Sequence, residues 1–245
     1  MESMKRVALV TGASAGVGAA TAIRLAQEGR DLVLWDLSNE KLAATKSECE
    51  KYGAKVKTYA CDISNEEMVN AAAADAIHAF GKIDILVNNA ALWRDASAFL
   101  DTSVDMWKQY LAVNVMGTVY VTRAVLPQMI ANNYGRIVNV ASVAGVYGNA
   151  NMACYSATKG AVISFTKALA KEVAQSGVTV NSISPGTVSA FHSDDPNHTV
   201  THPASYMGRS GSAMENAELI CFLCGDKAPY ISGENIQIDG CRKII

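Results

Sequence analysis

The chain has 245 residues, half of them apolar and 18% charged, with a formal net charge of −2. This is the profile of a globular protein with a substantial core, and no basic block argues for nucleic acid or an anionic membrane as a partner. No apolar run approaches the ~18 residues of a membrane-spanning helix, and the opening MESMKRVALVTG runs into a strand-like segment without a signal-peptide apolar stretch, so the expectation is a cytoplasmic protein with no membrane partner.

Strand-like and helix-like segments alternate from the start. RVALVTG is apolar and β-branched and leads into a glycine-rich turn, after which VGAATAIRLAQEG reads as a helix closed by Gly29. DLVLWD is a second strand, and NEKLAATKSECEKYG a helix capped by Ser38 or Asn39. KVKTYACD and SNEEMVNAAAADAIHAFG are the third strand and helix, and DILVNNA the fourth strand. Residues 102–133 predict one long helix, followed by the strand GRIVNVAS. A helix containing Tyr155 ends near Gly177, and VTVNSISPG is the next strand. An irregular stretch over 187–212 leads to the helix MENAELICFLC and a last short strand, ENIQID. Continuous apolar strands separated by helices predict a parallel sheet of seven strands covered on both faces. The whole chain, 1–245, then forms a single doubly wound α/β domain with its ligands at the carboxyl ends of the strands.

The turn TGASAGVG, Thr11–Gly18, carries glycines at 12, 16 and 18. Glycines there let the chain turn tightly and let backbone approach a pyrophosphate seated over a helix N-terminus. Gly12, Ser14, Ala15, Gly16, Val17 and Gly18 are therefore candidate cofactor-binding residues. Asp36 ends the second strand, where a carboxylate can accept from ribose hydroxyls and repel a 2′-phosphate. Neither Ala15 nor Leu37 supplies a cation to offset it, which favours NAD over NADP.

In MACYSATKG, Tyr155 and Lys159 stand four positions apart on one helix face. A free phenol titrates near ~10; a nearby ammonium favours the phenolate and would tune the pair as a proton donor and acceptor. Two other clusters are weaker. CFLC, with Cys221 and Cys224, lies late in a helical pattern and reads as buried thiols. HSDDPNH offers His192, Asp194, Asp195 and His198 without the spacing of a metal site, so no metal is expected.

Taken in order, TGASAGVG, Asp62 after the third strand, NNA at 88–90, Asn114 in LAVNVMG, Ser142 in NVAS, YSATK at 155–159, PG at 185–186 and SGENIQIDG near the C-terminus resemble the short-chain dehydrogenase/reductase family over nearly the whole chain. The resemblance implies a Rossmann-type fold and an NAD(P)-dependent oxidoreductase interconverting a secondary alcohol and a ketone. It implies Tyr155 as general acid/base, Lys159 as the group that lowers its pKa and binds the nicotinamide ribose, Ser142 as a donor to the substrate oxygen, and Asn114 as holder of a relay water. It places Asp62 and Ile63 at the adenine, Asn89 and Ala90 beside the adenosine ribose, and Pro185, Gly186 and Val188 at the nicotinamide; Asn88 is left open between the ribose and the sheet. Two departures stand out. A threonine common five residues after the proline is Ala190, with Ser189 or Thr187 as replacements, and DGC takes the place of DGG, which puts Cys241 in the final turn.

Substrate contacts are expected from Trp93, Arg94, Ser142, Val143, Ala144, Tyr147, Asn149, Met152, Tyr155 and Phe191, with 187–212 as a mobile lid over a modest, partly polar pocket. Relatives that reduce 3-oxoacyl groups on acyl carrier protein with NADPH tend to be basic where this chain has Asn132, Asn133, Gln175 and Ser176. A soluble polyol, cyclic alcohol or hydroxysteroid is preferred as substrate, the carrier-protein reductase is the alternative, and a non-catalytic NAD-binding scaffold is the remote one. The family also implies a homotetramer, for which Ala157, Ala161, Phe165, Ala168 and Leu169 give one helix an apolar stripe. At Cys154 the helix dipole and Lys159 favour thiolate, whereas burial opposes it.

Overall fold

The fold is described from a computed structural model over residues 5–93, 96–189 and 195–243. Seven strands form one sheet: β1 (Val7–Thr11), β2 (Asp31–Asp36), β3 (Val56–Ala60), β4 (Ile85–Asn88), β5 (Gly135–Val140), β6 (Val178–Pro185) and β7 (Asn235–Ile238). All pairings are parallel and the order is β3-β2-β1-β4-β5-β6-β7, so the winding reverses between β1 and β4. The helices are α1 (Gly16–Gln27), α2 (Asn39–Glu50), α3 (Glu66–Phe80), α4 (Val104–Tyr110), α5 (Thr118–Ala131), α6 (Val143–Tyr147), α7 (Ala153–Val173) and α8 (Ala213–Cys224).

Strands buried on both faces need no alternation, and β1, β4, β5 and β6 are buried throughout. Their successive side chains still diverge into two cores. Leu9, Val33, Trp35 and Leu86 pack with Val69 of α3, Val125 and Met129 of α5 and Leu169 of α7. Val10, Leu32, Leu34 and Val87 pack with Leu25 of α1, Leu42 of α2 and Leu223 of α8. Each such side chain contributes about 1.5–3 kcal/mol when fully buried.

Running through the first core is a chain of buried polar groups. Asn88 donates to Thr122 Oγ1 (3.1 Å) and to Asn139 Oδ1 (2.9 Å), Asn139 donates to Thr166 Oγ1 (2.9 Å), and the two threonine hydroxyls donate back to the carbonyls of Thr118 and Val162 in their own helices. Asn88 thus serves the sheet.

The single helix expected over 102–133 is a composite. Between α4 and α5 the segment Leu111–Gly117 widens into a π-helix. Asn114 lies inside it and donates to Leu92 O (3.0 Å) and Thr158 Oγ1 (3.1 Å) while accepting from the Leu92 N–H (2.6 Å). The wider turn sets this carboxamide between the loop after β4 and α7. Ser38 precedes α2 as expected, but its hydroxyl makes no capping bond.

After β7 the chain turns back on residues 204–207. The N–H of Tyr206 donates to Cys241 O (2.9 Å), that of Lys243 to Ala204 O (2.8 Å), and the Ser205 hydroxyl to Gly240 O (2.9 Å). This turn holds two consecutive left-handed residues, Gly240 (φ +64°) and Cys241 (φ +58°). A side chain in that region costs about 1–2 kcal/mol, less the entropy that glycine adds to the unfolded chain. Cys241→Gly is expected to stabilise the fold by up to about 1 kcal/mol, read as a higher denaturation midpoint at unchanged m-value; a lower midpoint would contradict the strain.

Candidate active site

The glycine turn is shaped by its neighbours. Gly12 is left-handed (φ +64°), and a Cβ on it would lie 2.8 Å from Ala90 Cα. A Cβ on Gly18 would lie 2.1 Å from the Gly12 carbonyl oxygen, so α1 can sit this close to the turn only without a side chain there. Gly16 is also left-handed (φ +56°), but its open side meets nothing within 4 Å. Asn89 fastens the turn to β4 by donating to the carbonyls of Thr11 and Gly12, both at 3.0 Å. Ala15, at the N-cap of α1, has no side-chain acceptor for the first-turn N–H groups, and no acidic residue occupies that turn. The chemistry therefore fits a dinucleotide pyrophosphate: free backbone donors, a positive helix end and room at Gly16.

Beside this cradle lies a cavity of about 260 Å³ lined by Trp35, Asp36, Leu37, Cys61, Asp62, Ile63, Ala90 and Val113, among others. Asp36 accepts from the N–H groups of Ser14 (3.1 Å) and Leu37 (2.8 Å), and Leu37 is 71% exposed. Asp62 accepts from the N–H and hydroxyl of Ser64 (2.9 and 2.7 Å).

A second cavity, of about 530 Å³, opens at the carboxyl ends of β5 and β6. Ser142, Tyr155, Lys159, Pro185, Gly186, Val188, Val17 and Asn89 line it, together with Trp93, Ala144, Asn149 and Met152. Ser142 caps α6, accepting from the Ala144 N–H (3.1 Å), which leaves its own proton free to donate. Tyr155 lies within hydrogen-bonding reach of Ser142. Lys159 is fully buried, donates to Val140 O (2.6 Å) and lies 5.7 Å from the centre of the Tyr155 ring. Burial pushes its pKa down to about 8. Burial also pushes the Tyr155 phenol up, opposed by Ser142. The expected lowering of the tyrosine by lysine is thus absent from this geometry, because the ammonium is turned to a backbone carbonyl and the phenol is desolvated.

One further expectation is corrected, at Tyr147. Tyr147 does not line the cavity: it is the last residue of α6 and its hydroxyl pairs with Gln237. Asn114 is buried, with its carboxamide committed to Leu92 and Thr158 and its main-chain carbonyl accepting from Thr118 Oγ1 (3.0 Å). Ser189 is buried against Ser210, while Thr187 lines the cavity. The N–H of Ser189 and the carbonyl of Thr187 pair with Gly211, which leaves the main-chain groups of Val188 unused by that bridge. Cys154 is buried and its thiol is pushed up, because desolvation outweighs the opposing hydrogen bonds from its own backbone and from Thr102. Cys221 and Cys224 are buried in the core with raised pKa values, Cys224 at about 12. Arg94, Ala190, Phe191, His192 and Asp194 lie outside the described residues. Among the described residues, no three His, Cys, Asp or Glu side chains cluster as metal ligands, and no helix is long and apolar enough to cross a membrane.

The cavity also takes in His202 and Ala204, from the 187–212 segment expected over the pocket, and Arg242, which no sequence motif marks. Arg242 lies 87 positions beyond Tyr155, and the hydrogen bonds joining 204–207 to the C-terminal segment hold the two segments together.

A family model described as short chain dehydrogenase matches residues 6–200. The chain belongs to that family. Among the short-chain dehydrogenases it resembles are the 2-dehydro-3-deoxy-L-rhamnonate dehydrogenase (NAD(+)) of Sphingomonas sp. (strain SKA58), 38% identical over 97% of this chain and 95% of the relative, and a 3-oxoacyl-[acyl-carrier-protein] reductase of Thermotoga maritima, 36% identical over 96% of each. The crystal structure of an NAD⁺-bound xylitol dehydrogenase superposes with a TM-score of 0.89 at 35% identity, covering 98% of this chain and all of that one. As a short-chain dehydrogenase with such relatives, the protein is an oxidoreductase acting on CH–OH groups.

Proposed function

We propose that the protein interconverts a soluble secondary alcohol and the corresponding ketone with NAD, using Tyr155 as general acid/base. The observation that carries this is the convergence of Ser142, Tyr155 and Lys159 on one cavity that continues to the glycine turn through Val17 and Asn89. When bound, the nicotinamide supplies the hydride acceptor or donor. The chain supplies the rest. In oxidation, the Tyr155 oxygen takes the alcohol proton. In reduction, it returns a proton to the ketone oxygen. Ser142 donates its free proton to the same substrate oxygen and stabilises charge as it develops. Lys159 holds a positive charge beside the tyrosine and offers N–H donors to ribose hydroxyls, and the Asn114 carbonyl holds a water that links it to solvent. Tyr155 binds in the same region, at the third residue of α7, so one helix fixes the proton donor and its cation together.

The preference for NAD rests on Asp36. Its carboxylate already accepts two backbone N–H groups and would meet a 2′-phosphate with like charge. Asp36→Ala combined with Leu37→Arg is expected to raise the NADP/NAD ratio of kcat/KM by more than about tenfold, each factor of ten corresponding to ~1.4 kcal/mol. An unmodified protein that already prefers NADP would contradict the assignment.

The alternative is an NADPH-dependent 3-oxoacyl-[acyl-carrier-protein] reductase, in keeping with the names of several relatives. Against it, Asn132, Asn133 and Gln175 are exposed and uncharged where an acidic carrier would dock. The decisive test is NADH formation with a panel of secondary alcohols, alongside NADPH oxidation with 3-oxoacyl thioesters. A protein that binds NAD and turns over neither set would be the scaffold. The proposal extends to a homotetramer: Ala157 and Ala168 of α7 are exposed and Ala161 and Phe165 half-buried, although Leu169 belongs to the core. Light scattering reports the assembly directly.

A further inference from the structure

Resting on the alcohol–ketone reading above, we propose that the substrate carries a carboxylate and that Arg242 is the residue that selects it. Arg242 lines the same cavity as Tyr155 and Ser142. Among the described residues its side chain makes one hydrogen bond, from Nη2 to Asn149 Oδ1 (3.2 Å), and its main-chain N–H reaches Asp239 Oδ1 (3.3 Å). Among the described residues no carboxylate oxygen lies within 4.0 Å of the guanidinium. A guanidinium has five N–H donors in a fixed fork, so the Asn149 contact leaves most of them uncommitted.

The rest of the wall is consistent in sign. Among the described residues no Asp or Glu lines this cavity, which holds two basic side chains, Lys159 and the permanently charged Arg242, and one imidazole, His202. Lys159 is committed to the reacting end. His202 accepts the Ala204 N–H at Nδ1 (3.3 Å), which places the proton of the neutral ring on Nε2 and makes that atom a donor. A neutral polyol or steroid would leave Arg242 without an anion, whereas a carboxylate matches the fork bidentately in a partly dehydrated site. The arginine is also positioned for the task. Asn149 is fixed by its own N–H to Ser156 Oγ (3.2 Å), and the segment carrying Arg242 is pinned to Ala204 and Tyr206. The residue preceding it, Cys241, occupies a left-handed conformation that turns the chain back toward the site.

The test uses the whole protein with saturating NAD and paired substrates: 3-hydroxybutyrate, 4-hydroxypentanoate and 5-hydroxyhexanoate, each beside its primary amide. For at least one chain length the acid is expected to exceed its amide in kcat/KM by tenfold or more. Arg242→Gln is expected to reduce that acid-to-amide ratio by about 10²-fold, mainly through KM, and Arg242→Lys to restore part of it. A merely structural role would lower both members of a pair alike and leave the ratio standing. Amides oxidised as well as, or better than, acids by the unmodified protein would overturn the anion site while leaving the hydride reaction in place, and this needs no variant to fold. NADH formed from neither set, nor from the panel of secondary alcohols, would overturn the proposed function instead. The anion site is then read from thermal stabilisation by the same hydroxy acids with NAD present: stabilisation that Arg242→Gln abolishes supports it, and none in the unmodified protein overturns it.

Discussion

Replacing Tyr155 with phenylalanine is expected to lower turnover by about 10³-fold, within the range of a lost general acid/base, with NAD affinity within a few-fold of the original. The ring packs edge-on to Tyr110 with centroids 6.5 Å apart, and phenylalanine keeps that contact. Only the hydroxyl goes, and with it the proton route between substrate and protein. Because the phenol is raised by burial, the unmodified enzyme needs high pH to reach the basic form in alcohol oxidation. Its oxidation rate therefore climbs with pH, and the variant loses that climb. Steady-state rates across pH 6–10 with fluorescence titration of NAD make the check; near-normal turnover in the variant would remove Tyr155 from the chemistry.

Lys159→Met is expected to inactivate the enzyme and yet stabilise the cofactor-free fold. Lys159 is buried, with one backbone carbonyl as its hydrogen-bond acceptor, and its pKa falls to about 8. Against an ordinary lysine near ~10.4, that gap corresponds to about 3 kcal/mol of destabilisation. The sign follows from which state holds the proton more tightly. The unfolded chain does, so the penalty is complete below pH 8 and disappears as the pH rises toward that of a free lysine. Methionine fills similar volume without charge, at the cost of leaving the Val140 carbonyl unpaired, which returns about 1 kcal/mol or more. The net gain at pH 7 is about 1–2 kcal/mol and vanishes near pH 10. Denaturant unfolding of both proteins at the two pH values measures it; an equal difference at both would mean that the lysine charge is not the cause.

Much of the fold was legible because the determinants are local. Parallel strands write themselves as unbroken apolar runs such as VALVT and DLVLWD, and glycines such as Gly12 and Gly16 mark left-handed turns. The widened turn at Leu111–Gly117 was not legible, since one extra residue per turn barely disturbs helical periodicity. Tyr147 misled because proximity in sequence to Ser142 is not proximity to the cavity; its hydroxyl is drawn to Gln237, 90 positions away. The direction of the Tyr155 and Cys154 shifts escaped for a different reason. Spacing reports which charges are near, whereas burial is a property of the assembled wall, and at both residues burial is the larger effect. Arg242 depends on how the chain after β7 meets residues 204–207, a pairing with no motif.

The buried line of Asn88, Thr122, Asn139 and Thr166 has a consequence for how the chain finds its native state. Apolar packing alone discriminates poorly between compact arrangements in which a helix has slid along the sheet by a turn, because one leucine fills much the same space as the next. Here α5 and α7 each carry a threonine that must meet an asparagine on a particular strand. A helix displaced by one turn would strand its share of these groups in a dry interior, at about 1–3 kcal/mol for each one left unpaired. The polar line therefore proofreads the collapse: it opens an energy gap above misregistered compact states that hydrophobic contacts would leave nearly degenerate. One of the two helices checked in this way, α7, is the one that carries Tyr155 and Lys159.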